Sequence, residues 1–69
     1  MGASSFVHLE DCTVRAVTDR AVLIEYENAQ YWLPVSQLAD REAHNLHRGD
    51  HGVPVSITEW IAEQKGIDA

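Results

Sequence analysis

The chain has 69 residues and a formal charge of −6, from eleven acidic against five basic side chains, with 45% apolar and 23% charged residues. That is ordinary globular composition for one small domain with a thin core, since a chain this short buries only about 60% of the surface that its unfolded form exposes. The charge balance argues against a protein held to DNA or to an anionic membrane by phosphate neutralisation, because only Arg15, Arg20, Arg41, Arg48 and Lys65 could supply it; no run approaches the roughly 18 to 20 apolar residues of a membrane span.

Residues 1–5 are small and polar and read as a flexible end or a cloning remnant, without the basic region and apolar stretch of a secretory signal. The fold is expected to begin at Phe6 and to run as one domain over residues 6–69. From Phe6 to Val17 the apolar residues alternate in two sets, Val7 and Leu9, then Cys12, Val14 and Ala16. Alternation predicts a strand, and the change of phase across Glu10 and Asp11 predicts a bulge or bend. Thr18, Asp19 and Arg20 make a short polar break before a β-rich run from Ala21 to Tyr26, which is a hairpin signal. A second turn follows at residues 27–30, where Asn28 can take a left-handed conformation at low cost, and Tyr31, Trp32 and Leu33 resume the strand pattern.

Pro34 cannot donate to a sheet ladder, so it ends this strand or marks an edge, and residues 35–38 read as a turn or one coil of 3₁₀ helix. Residues 39–51 are polar and histidine-rich and read as a loop. Gly49, Asp50, His51 and Gly52 form a turn cluster ahead of a last strand with Val53, Val55 and Ile57, where Pro54 again suggests an edge. A terminal helix follows, with Thr58 as N-cap, Glu59 in the first turn, Lys65 in the last and Gly66 beyond it. Trp60 and Ile61 give that helix an apolar side, and Trp60 is expected to pack it onto the sheet. The fold class is therefore mainly β: a small antiparallel SH3-like barrel or strongly bent sheet with a short C-terminal helix.

Two stretches carry a resemblance. Trp32-Leu33-Pro34-x-Ser36-Gln37 and Ile57-x-Glu59-Trp60-Ile61-Ala62-Glu63-x-Lys65-Gly66, preceded by Ala21-x-Leu23, are similar to small uncharacterised SH3-like proteins of phages and mobile elements. The likeness covers roughly residues 12–67. It implies a fold and a genomic setting but no activity, no cofactor and no site residues, and the histidine-rich stretch 44–51 is not part of the pattern.

His44, His47 and His51 stand at intervals at which imidazoles can share a metal, with His8 and Cys12 as further donors, yet the glycines around them break a continuous helix. Solvated loop histidines are the weightier reading, and no metal or other cofactor is expected. Ser36, His47 and Asp40 could be written as a nucleophilic triad, but no nucleophile elbow supports it, so no enzyme is expected. Cys12, beside Glu10 and Asp11, reads as core rather than as a reactive thiolate. As the only cysteine it leaves no intramolecular disulfide to staple a secreted domain, which points to the cytoplasm.

The aromatics are more informative. Trp32 falls on the strand face opposite to Tyr31 and Leu33, and Tyr and Trp anchor interfaces. An exposed Trp32 with Tyr26 near it, and Tyr31 close by, is the candidate contact patch; the competing reading places Tyr31 and Leu33 in the core.

Three functions follow in order. The first is a non-catalytic protein-binding module, with a homodimer as one way to supplement the thin core. The second is an acidic inhibitor that presents Glu25, Glu27, Asp40, Glu42 and Asp50 to a basic nucleic-acid or defence enzyme. The third, single-stranded nucleic-acid binding by base stacking, needs Arg15, Arg20, Arg41 and Arg48 on the face of Trp32, and the overall charge disfavours it.

Overall fold

A computed structural model describes residues 5–39 and 45–67. Four antiparallel strands, β1 (Phe6–Val17), β2 (Ala21–Tyr26), β3 (Ala29–Pro34) and β4 (Val53–Thr58), form one sheet in the order β3-β2-β1-β4. A 3₁₀ turn, Val35–Gln37, follows β3, and one helix, α1 (Glu59–Lys65), follows β4. The mainly β class with a short C-terminal helix is thus observed. No helix among the described residues is long and apolar enough to cross a membrane.

The length of β1 organises the sheet. Its first half pairs with β4, from Phe6 opposite Thr58 to Cys12 opposite Val53, and its second half pairs with β2, from Thr13 opposite Glu25 to Val17 opposite Val22. The register slips between Leu9 and Cys12, where Asp11 adopts a positive φ of 58°, so the bulge expected from the change of apolar phase is present. It returns Cys12 to the inner face, beside Leu9, and both are fully buried.

A second slip, between Val14 and Ala16, has no counterpart in the alternation of the sequence. Arg15 is the extra residue there, and its insertion turns Ala16 outward opposite Leu23, whereas the sequence pattern had set Ala16 with Cys12 and Val14. Two bulges in one strand concentrate its bend and twist.

Hairpin β2-β3 closes through Glu27 and Asn28, both with positive φ (50° and 68°), as a two-residue turn matched to the strands' twist requires. After Pro34 the amide of Val35 still donates to the carbonyl of Arg20 (2.8 Å), and three residues on Leu38 bridges to Ile57 of β4 while the Ala39 amide donates to Ser56 (3.0 Å). The 3₁₀ turn thereby carries the chain from the β2-β3 end of the sheet to its β4 edge, which demands strong curvature.

The inner face holds Leu9, Cys12, Val14, Val22, Ile24, Leu33, Val55 and Ile57, all essentially inaccessible to solvent. Leu38, Ile61, Ala62 and Ile67 cap this core, and Leu46 packs against it from the loop. Thr58 caps α1 by accepting from the Ile61 amide (3.2 Å). At the other end Gly66 (φ 70°) donates to Glu63 and Ile67 donates to Ala62, a Schellman ending that folds Ile67 back into the core beside Ala62.

Trp60 does not serve that packing. It is 58% exposed, and the helix docks through Ile61 and Ala62 instead. With seven residues the helix offers barely two turns, and Ile67 supplies the third apolar contact that a longer amphipathic stripe would have provided.

Candidate interaction face

Strand register decides which side chains share a surface. Leu23 stands opposite Trp32 across β2 and β3, and Ala16 stands opposite Leu23 across β1 and β2, so Ala16, Leu23 and Trp32 make one row across three strands on the outer face. Trp32 is 46% exposed in this row, and Leu23 and Ala16 are partly covered. The next row on the same face is polar: Thr13, Glu25 and Gln30. Arg15, turned outward by its bulge, reaches Glu25 with Nε and an Nη both 2.7 Å from the same carboxylate oxygen. This ion pair is half exposed, so its worth is modest, but it braces the face beside Leu23.

Tyr26 and Tyr31 belong elsewhere. Tyr26 continues the inward set of Val22 and Ile24, Tyr31 pairs with Ile24, and both pack against the core. The expected patch of Trp32 with Tyr26 is therefore corrected to Trp32 with Leu23 and Ala16, and Tyr31 takes the core position that the competing reading gave it. The signal was in the sequence: a two-residue turn at Glu27 and Asn28 fixes Tyr26 opposite Ala29, and counting back places Leu23 opposite Trp32.

The carboxylates divide. Glu25 and Glu27, with Glu10, Asp11, Thr13, Tyr26 and Asn28, line an open cleft of about 460 Å³ between the first β1 bulge and the β2-β3 turn. Asp11 and Glu27 reach it from left-handed backbone positions. Glu10 and Asp11 extend this acidic surface beyond the carboxylates expected from the sequence. Asp50 is separate: its carboxylate accepts from the His47 amide (2.9 Å) while its own amide donates to the His47 carbonyl (3.0 Å), closing a turn. That turn docks on β1, with the Val14 amide donating to Asp50 and the Gly49 amide donating to Val14. Asp40 and Glu42 lie outside the described residues.

His44 also lies outside them. Among the described residues no three His, Cys, Asp or Glu side chains are placed to share a metal ion; His47 and His51 are exposed, and the His47 ring sits 3.9 Å from the Asp50 carboxylate. Of the arginines needed for nucleic-acid stacking, Arg15 is engaged by Glu25, Arg20 lines an apolar groove with Asp19, Pro34, Val35 and Ser36, and Arg41 is outside the described residues. Cys12 is buried in the core. The chain matches no protein-family model, no curated protein and no solved structure.

Proposed function

We propose that this protein is a non-catalytic protein-binding module of SH3-like type, working in the cytoplasm, whose contact surface is the outer face of β1, β2 and β3 centred on Trp32. The observation that carries the reading is the Ala16, Leu23 and Trp32 row: a half-exposed indole in register with two partly covered aliphatic side chains, beside an ion pair and a polar row. Rigid aromatic anchors surrounded by partly covered apolar contacts are what interface hot spots look like. The phage or mobile-element setting implied by the sequence resemblance belongs to this proposal.

A second reading, the acidic inhibitor of a nucleic-acid or defence enzyme, is favoured by the cleft that gathers Glu10, Asp11, Glu25 and Glu27. The two readings are compatible, because Glu25 borders both the cleft and the Trp32 face.

Capture of partners from a host lysate on immobilised protein tests the reading, comparing wild type with Trp32→Ala and with a doubly substituted Glu10→Gln, Glu27→Gln cleft. Loss of the captured protein with Trp32→Ala supports the face; loss only with the cleft variant shifts the function to the inhibitor reading. Retention by both refutes each.

A further inference from the structure

The two outer edges of the sheet differ. The free side of β4 is bridged at Ser56 and Ile57 by Leu38 and Ala39, whereas among the described residues nothing pairs with the outer side of β3, at the other end of the strand order. Natural edge strands are guarded by charge, bulges or interior proline. β3 reads Ala-Gln-Tyr-Trp-Leu-Pro, with no charge, no bulge against β2, and its single proline at the end.

Hydrogen-bond alternation says which amides face outward. The Val35 amide donates to Arg20, and hydrogen-bonded pairs recur every second residue in an antiparallel ladder, so Leu33, Tyr31 and Ala29 point their amides at β2. Gln30, Trp32 and Pro34 therefore direct their backbone away from β2. Pro34 fits there because the donor it lacks would have faced outward. The amides and carbonyls of Gln30 and Trp32 line the free edge, while the Pro34 carbonyl opens the 3₁₀ turn.

We infer that β3 accepts an added antiparallel strand, and that its occupant is an extended, basic segment of the partner protein. This rests on the protein-binding reading above and names the kind of partner. A strand added beside β3 lengthens each cross-strand row by one residue. The row of Ala16, Leu23 and Trp32 calls for an apolar side chain next to Trp32. The row of Thr13, Glu25 and Gln30 calls for a basic one next to Gln30, about 10 Å from the β2 backbone, within reach of Glu27 at the adjoining turn and of the Glu25 carboxylate that already holds Arg15. An antiparallel segment meets Trp32 before Gln30, so its chain order is apolar, any residue, basic. Backbone bonds to Gln30 and Trp32 supply binding, and the two alternate side chains supply selectivity.

A second copy of this chain fits less well. β3 contains no basic residue to set beside Gln30, and pairing two molecules that each carry −6 adds repulsion.

The test is selection of a random ten-residue displayed peptide library on the wild-type protein, followed by amide hydrogen exchange with the enriched peptide made synthetically. The expected result is enrichment of the apolar-x-basic spacing, and at least tenfold slower exchange at the Gln30 and Trp32 amides on binding. Gln30→Pro, which removes one outward donor, is expected to weaken binding at least tenfold; the exchange measurement on wild type decides the matter should that variant fold poorly. Binding that is lost with Trp32→Ala while Gln30 and Trp32 exchange at their free rates overturns strand addition and leaves the Trp32 face standing. Enrichment without the basic position, no enrichment, or protection of both amides in a peptide-free dimer also overturns it.

Discussion

Glu27 occupies a left-handed backbone position in the β2-β3 turn, where Asn or Gly carries a smaller steric cost. Glu27→Gly is expected to stabilise the fold by about 0.5–1 kcal/mol, seen as a rise of a few degrees in the thermal midpoint. A fall would mean that the Glu27 side chain is held by contacts beyond the cleft. Trp32 and Leu33 are neighbours in sequence on opposite faces. Leu33→Ala empties a fully buried site and should cost roughly 3–5 kcal/mol in denaturant unfolding, whereas Trp32→Ala should cost about 1.5–2.5 kcal/mol because nearly half the indole is already in water. Equal losses would contradict the assigned faces. Asp50 is a structural carboxylate, since it satisfies the His47 amide in the turn docked on Val14, and Asp50→Ala is expected to destabilise by about 1 kcal/mol without altering partner binding.

At the scale of the elements, the β3 ladder makes a paired prediction. Tyr31→Pro removes a donor aimed at β2 and should unfold the hairpin, while Gln30→Pro removes one aimed at solvent and should leave the circular dichroism spectrum unchanged. The reverse order would place the wrong amides on the edge. Most elements were legible in the sequence because local chemistry agrees with tertiary need: the strand alternations, the edge prolines, the 3₁₀ turn after Pro34, the bulge at Glu10 and Asp11, and the Thr58 and Gly66 caps. The Arg15 bulge was not legible, because it changes the phase of one small residue, Ala16, which sits acceptably on either face. Trp60 misled for a related reason. A short helix has few positions, and the contribution of Ile67 from beyond the C-cap is visible only once Gly66 turns the chain back.

Over the whole molecule, the strong curvature of one sheet buries the core on its inner side and leaves the partly exposed outer face beside an edge that nothing pairs with among the described residues. The charge of −6 then bears on how that surface meets a partner. Association with a basic partner is expected to slow severalfold between about 50 and 300 mM salt, with a smaller change in dissociation, as steering by complementary charge requires. A salt-independent on-rate would remove the acidic cleft from the account. The Trp32 face was only half legible: the indole itself could be singled out from its strand parity, but its true neighbours required the register of two hairpins at once.

The most direct test compares partner capture by wild type, Trp32→Ala and Trp60→Ala, each confirmed folded by thermal melting. The two tryptophans are similarly exposed but sit in different places, one in β3 and one on α1. A loss of at least thirtyfold in affinity with Trp32→Ala, the scale of a hot-spot anchor, and retained binding with Trp60→Ala is the predicted result. Retained binding with Trp32→Ala would contradict the assignment of the outer β-face as the contact surface.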